Sequence, residues 1–184
     1  GIGQVYVVWG RPSFPPVLAL SSLNGSNGFV ITGVAPETST GKVVRAAGDL
    51  NKDGYGDFLL SAGTFLSGRS LDSGTVYVIL GQKTYPAQLS LTGLNGVNGF
   101  RIEGIADGDN AGRSATAAQD VNGDGHGDLI IGAPFAAGHK GEAYIVFGRA
   151  SFPAVVNLKD LNVQTGVRLI GAQANGEAGT AVGA

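Results

Sequence analysis

The stretch "GDLNKDGYGDFLLSAG", residues 48–63, sets Asp49, Asn51, Asp53 and Asp57 within nine residues, directly ahead of an apolar run. Only 14% of the 184 residues are charged, so acid concentrated here needs a cause. The spacing D-x-N-x-D-G-x-x-D supplies one. Side-chain oxygens at the first, third and fifth positions can face into one loop when glycine follows and lets the backbone turn sharply. A main-chain carbonyl at the seventh position and a carboxylate at the ninth complete an oxygen-only shell of the kind Ca²⁺ takes. The alternative is an ion-free turn, because Asp, Asn and Gly all favour turns for their own reasons.

The stretch has a twin. Residues 119–134 read "QDVNGDGHGDLIIGAP", with the same residue types at the same ligand positions. The spacing therefore predicts two Ca²⁺ sites. The first comprises Asp49, Asn51, Asp53, the Tyr55 carbonyl and Asp57. The second comprises Asp120, Asn122, Asp124, the His126 carbonyl and Asp128. An EF-hand begins alike but requires Glu at its twelfth position, where this chain has Leu60 and Ile131 inside apolar runs. Mg²⁺ fits less well, since it keeps several waters and seldom uses an all-protein cage.

Repetition extends outward from these loops. "GQVYVVWG" (3–10) returns as "GTVYVILG" (74–81) and "GEAYIVFG" (141–148). "RPSFPPVLALSSLNGSNGFVITG" (11–33) returns at 82–104 and, in weaker form, at 149–171. The spacing is 71 residues from Gly3 to Gly74 and 67 from Gly74 to Gly141, the difference lying in loop 64–73 against its shorter counterpart 135–140. Each unit reads as four short strands: residues 42–48 or 113–119, then 57–62 or 128–133, then the VYV run, then GFVITG or GFRIEG. The middle strands are apolar at consecutive positions, as in a sheet covered on both faces. Helical periodicity is absent. Four short strands per unit separated by glycine turns predict an all-β fold of β-propeller blades, each a four-stranded antiparallel sheet. A β-helix, whose repeats are usually shorter, fits less well.

A propeller of 4–8 blades at ~70 residues per blade needs roughly 280–560 residues. The chain supplies a partial propeller of about 2.6 blades. Residues 1–41 hold the third and fourth strands of one blade, 42–104 and 105–171 a full blade each, and 172–184 the start of another, with a first strand over 179–184. Raw strand edges at both ends call for completion. The expectation is either the remainder of a larger propeller or a homo-oligomer in which several chains close the ring.

Composition excludes several functions. There is no Cys, so disulfides, zinc–thiolate sites and thiol catalysis are absent. The absence of Met suggests a processed product or a piece of something longer. A formal charge of −2 provides no field for nucleic acid, and no apolar run is long enough to insert into a membrane. His126 and His139 have no acid–base partner in the pattern, and Ser114 lies in no G-x-S-x-G elbow. The glycine-rich stretch 93–99 lacks the Lys, strand and helix of a phosphate loop. Trp9, Tyr77 and Tyr144 occupy strand positions suited to core packing. Arg69, Arg113 and Lys140 read as solvated turn charges.

The acidic loop followed by "DLIIGAP" and then "GEAYIVFG" resembles the FG-GAP repeat of integrin α-subunit propellers and their relatives. Phe-Gly is replaced here by Thr40-Gly41 and Ala111-Gly112, and Gly-Ala-Pro is intact only at 132–134. The "FP…L…LNG.NGF" insert is closest in style to bacterial surface or secreted FG-GAP proteins. The resemblance implies structural calcium in an extracellular or cell-surface module for protein or glycan binding and adhesion, with contacts from loops 64–73 and 135–140. No enzyme activity is implied by this chain. The alternatives are a non-catalytic part of a larger secreted enzyme, or a purely structural propeller fragment that assembles into a ring.

Overall fold

The computed structural model describes residues 2–34, 39–63, 65–66, 69–70 and 72–184. Apolar runs bounded by glycine become strands throughout: β1 (Gln4–Val8), β2 (Gly28–Thr32), β3 (Val44–Gly48), β4 (Asp57–Ala62), β5 (Phe65–Leu66) and β6 (Arg69–Ser70). There follow β7 (Thr75–Ile79), β8 (Gln88–Ser90), β9 (Gly99–Glu103), β10 (Ser114–Gln119), β11 (Asp128–Ala133), β12 (Glu142–Val146), β13 (Val155–Asn157) and β14 (Gly166–Ile170). The protein is all-β. Its only helical pieces among the described residues are three-residue 3₁₀ turns after similar Leu-bearing segments and one short turn at Ala136–His139, where Ala137 and Gly138 are left-handed.

The strands order as β1-β2-β8, as β13-β9-β7-β4-β3, and as β10-β11-β12-β14, with β5-β6 a small hairpin. Within each blade neighbouring strands are antiparallel, as the sequence pattern requires. Two of the sheets carry an addition that the pattern did not foretell. β8 lies parallel to β2, with Leu89 opposite Ile31, and β13 lies parallel to β9, with Val156 opposite Ile102. The second and third repeats thus each send a three-residue strap back onto the outer strand of the preceding blade.

Two apolar cores lie between successive blades. Because alternate strand residues face opposite sides, β4 and β7 feed both. Leu60, Tyr77 and Ile79 join Val5, Phe29 and Ile31 of the first blade. Leu59, Val76 and Val78 join Leu129, Ile131, Tyr144 and Val146 of the third. This two-sided burial explains the consecutive apolar residues of β4, and each fully buried Leu or Ile contributes about 1.5–3 kcal/mol. Tyr77 and Tyr144 are core residues, as expected. Trp9 is half-buried against Phe29 and Tyr85, its Nε1 donating to the Gly25 carbonyl at 3.0 Å.

Residues 179–181 form a turn and bends and 182–184 no regular element, rather than the expected strand, and Ala178 just before them bridges to Gly141. A first strand is held by pairing with the second strand of its own blade, which these 184 residues do not include. Of loop 64–73, residues 64, 67, 68 and 71 lie outside the described set.

Candidate metal loops

Both acidic loops are built by the same device. A β-bulge ends the first strand of each blade, between Ala46 and Gly48 and between Ala117 and Gln119. The last residue, Gly48 or Gln119, is left-handed. The fourth loop position is left-handed too, at Lys52 and Gly123, and so is the sixth, at Gly54 and Gly125, both with φ of 88°. Glycine at the sixth position meets that requirement without strain.

The side chains fill the turn in the same manner, with one difference in the amides that the first acid meets. Asp49 accepts from the Asp53 and Gly54 amides at 3.1 and 3.0 Å, and Asp120 from those of Gly123 and Gly125 at 2.7 and 2.8 Å. The Asn51 and Asn122 Oδ1 atoms accept from the Asp53 and Asp124 amides, while their Nδ2 groups donate to Asp53 and Asp124 Oδ2. Asp53 and Asp124 Oδ1 accept from the Tyr55 and His126 amides, each at 2.8 Å. In both copies the acids are turned toward the loop's own N–H groups. No three His, Cys, Asp or Glu side chains among the described residues gather into a metal cage.

The ninth-position acids differ from the rest. Asp57 and Asp128 are buried. Asp57 accepts from the Leu50 amide at the loop's start and from the Gly81 amide past the third strand, both at 2.7 Å. Asp128 does the same with Val121 and Gly148 at 2.8 and 2.9 Å. Each carboxylate therefore clamps its loop to the end of β7 or β12, a role that ligand spacing alone does not reveal. Burial pushes the Asp57 carboxyl up, the two N–H groups draw it back, and the charges of Asp53 and Asp49 add to the rise. Asp124 is held below the usual carboxylate range by the His126 N–H and the Asn122 amide, with His126 and Lys52 adding to the effect.

The loops also touch one another. His126 places Nδ1 3.0 Å from the Leu50 carbonyl of the first loop. Lys52 leans from the first loop over the second, so that a Cβ on Gly125 would stand 2.4 Å from its Nζ. The inner strands β3 and β10 lie side by side and bring the loops together. Chain folding within a blade fixes each loop; blade-on-blade packing couples them.

Elsewhere, Ser114 Oγ donates to the Gly179 carbonyl and His139 stacks at an angle on Phe135. Sequence reasoning missed a buried acid. Glu142, its side chain 1% exposed, is gripped by Arg168 through bonds of 2.8 and 2.6 Å and by the Tyr144 hydroxyl. Burial would raise the Glu142 carboxyl, but Arg168 and Tyr144 outweigh it and hold it low.

Residues 46–79 and 111–146 match the FG-GAP repeat, each match running from the first strand through the acidic loop to the third strand. These are FG-GAP repeats. The chain is 32% identical over 152 residues to the bovine (Bos taurus) phosphatidylinositol-glycan-specific phospholipase D, which covers 77% of this chain and 18% of that protein. It is 33% identical over 102 residues to the integrin alpha-PS5 of Drosophila melanogaster, covering 55% of this chain and 9% of the integrin. Over 95 residues it is 38% identical to the integrin alpha pat-2 of Caenorhabditis elegans, covering 50% and 7% respectively. The FG-GAP chain thus spans less than a fifth of each of these relatives. No helix among the described residues is long and apolar enough to cross a membrane.

Proposed function

We propose that the two acidic loops bind Ca²⁺ and that the metal stiffens an extracellular binding module. The observation that carries this reading is the duplicated loop: five oxygen donors in the same order on the same backbone turns, in both FG-GAP repeats. The donor set suits a hard cation, since it consists of carboxylate, amide and carbonyl oxygens alone. Asp49, Asn51, Asp53, the Tyr55 carbonyl and Asp57 would hold one ion, and Asp120, Asn122, Asp124, the His126 carbonyl and Asp128 the other. Each carboxylate oxygen that accepts one N–H retains a further lone pair for an ion. A bound cation supplies charge neutralisation and crosslinks the loop, and no chemical step is attributed to it.

Millimolar calcium is sufficient for a weak module with Kd of ~10⁻⁴–10⁻³ M. At about 10 mM calcium such a site adds roughly 1.4–2.7 kcal/mol, or roughly 3–11 °C in Tm per site. Thermal unfolding in calcium and in chelator tests the reading, and superimposable curves refute it. Ligand contacts, to protein or glycan, are assigned to loops 64–73 and 135–140 and are tested by protein and glycan arrays.

The match to the phospholipase D relatives favours a second reading, in which these repeats are a non-catalytic part of a larger secreted enzyme. Release of a phosphatidylinositol-glycan-anchored protein by the parent polypeptide, but not by residues 1–184 alone, supports it. Release by residues 1–184 contradicts it.

A further inference from the structure

The two seams between successive blades are built from the same parts, so each serves as a control for the other. From the end of a third strand the chain crosses to the preceding blade through residues 82–87 or 149–154. The aromatic residue of the crossing stacks on a phenylalanine of that blade, Tyr85 on Phe29 at 4.5 Å and Phe152 on Phe100 at 4.1 Å. In the second seam the guanidinium of Arg149 covers Phe152, 5.0 Å from the ring centre, and Leu80 is buried. Three equivalent positions differ in the first seam: Tyr85 stands for Phe152, Gln82 for Arg149 and Trp9 for Leu80. Gln82 brings no cation to the ring, and Trp9 leans against both Tyr85 and Phe29, with ring centroids 5.4 and 5.5 Å away. A cleft of about 540 Å³ opens there. Half-buried Trp9 and Tyr85 supply its apolar part, and Ser26, Gln82, Lys83 and Thr84 its rim. Its walls are held in place. Trp9 Nε1 donates to the Gly25 carbonyl, Asn24 Oδ1 accepts from the Ser26 amide at 3.0 Å, and the Tyr85 hydroxyl donates to the Leu80 carbonyl at 3.1 Å. The rim owes nothing to where the chain starts. In the second seam, whose earlier blade has all four strands, the equivalent Asn95, Val97, Ala150 and Ser151 are exposed as well.

We propose that this cleft binds a neutral saccharide, one pyranose ring lying on Trp9 and Tyr85 with its hydroxyls bonded to Ser26, Gln82 and Thr84. A pyranose presents a face of C–H bonds, which suits an aromatic surface, and an edge of hydroxyls that both donate and accept. The amide of Gln82 and the hydroxyls of Ser26 and Thr84 do the same, and the volume is that of a small-ligand site. A cation is disfavoured, since the lining has no carboxylate and Lys83 would repel it. A wholly apolar ligand would take the rim out of water without giving it partners. None of these residues belongs to loops 64–73 or 135–140, and the inference is independent of the calcium reading.

Trp9 is the chain's one tryptophan, so its fluorescence reports on the cleft directly. The 184-residue protein is titrated with neutral trisaccharides of glucose, galactose, mannose and N-acetylglucosamine and, separately, with a tri-arginine peptide, each up to about 10 mM. At least one trisaccharide gives a saturable change in emission, and tri-arginine gives none. Gln82→Arg, which installs the cover that the second seam already carries, weakens that binding at least about ten-fold. Ser26→Val, the second repeat's residue, weakens it roughly three- to ten-fold, as loss of one hydrogen bond does. Circular dichroism checks that both variants, each made with a residue the fold already holds at the equivalent position, keep the parental structure. The absence of a saturable response to every trisaccharide overturns the proposal, and so does a response to tri-arginine in its place. A saccharide response that either variant leaves unchanged also overturns it, since the sugar is then held elsewhere.

Discussion

Replacing Asp128 by Asn separates the clamp from the ion. Asp128 is fully buried, and its two oxygens accept from the Val121 amide at 2.8 Å and the Gly148 amide at 2.9 Å. Asparagine keeps one oxygen and turns an NH₂ group toward the other amide, so donor faces donor. One charge-assisted bond is lost, at about 1.5–3 kcal/mol, and one buried N–H loses its acceptor, at about 1–3 kcal/mol. The two terms overlap, and about 2–4 kcal/mol is expected in sum. The comparison is Asp124→Asn, at an exposed position proposed as a ligand, whose bonds stay within its own loop. Urea unfolding in chelator is the assay. Asp128→Asn loses its stability with no calcium present, whereas Asp124→Asn keeps the parental midpoint in chelator and loses only the calcium response. If Asp128→Asn unfolds within about 0.5 kcal/mol of the parent in chelator, the clamp is not a structural strut and the reasoning fails.

The glycine closing the VYV run gives a control within the repeat. A Cβ on Gly148 would stand 2.0 Å from the Gly127 carbonyl oxygen, and one on Gly81 2.7 Å from that of Gly56, while one on Gly10 meets nothing within 4 Å. Alanine at Gly148 or Gly81 therefore costs at least about 2 kcal/mol in urea unfolding, and alanine at Gly10 leaves the midpoint in place. For Glu142 the folded carboxyl lies below its ordinary 4.5, so its contribution is complete above that pH and is lost as pH falls through the lower folded value. The difference in unfolding midpoint between the parent and Glu142→Gln accordingly shrinks as the pH falls below 4.5; a constant gap contradicts the ion pair. Lys52 places a positive charge over the second loop, so Lys52→Ala raises that loop's calcium affinity roughly two- to five-fold by titration calorimetry. Unchanged affinity shows that the ammonium moves aside.

Strand identity was legible from local pattern. Residues 57–62 and 128–133 were read to their true limits, because apolar residues on both faces and an acid at the start leave few alternatives. The first strands begin at Val44 and Ser114, one or two residues later than expected, where the incoming turn ends. The straps were not legible. Gln88–Ser90 and Val155–Asn157 are three residues long with no alternation worth reading, and they become strands only because another blade's edge lies beside them. Likewise, the sequence ranks Asp57 and Asp128 as ligands by spacing, but their clamping of Gly81 and Gly148 requires the third strand to return beside the loop.

By itself the sequence determined the repeat, the blade strands, the two loops and their oxygen donors, because strand period, turn chemistry and ligand spacing are all properties of a few consecutive residues. Tertiary structure alone decided which blade each strap covers, that His126 reaches Leu50 and Lys52 reaches the second loop, and that Glu142 meets Arg168. Those contacts join residues 26 to 76 positions apart. The strap, His126 and Lys52 contacts are set by the packing of neighbouring blades and the Glu142–Arg168 contact by the pairing of β12 with β14, and no local window of sequence contains either.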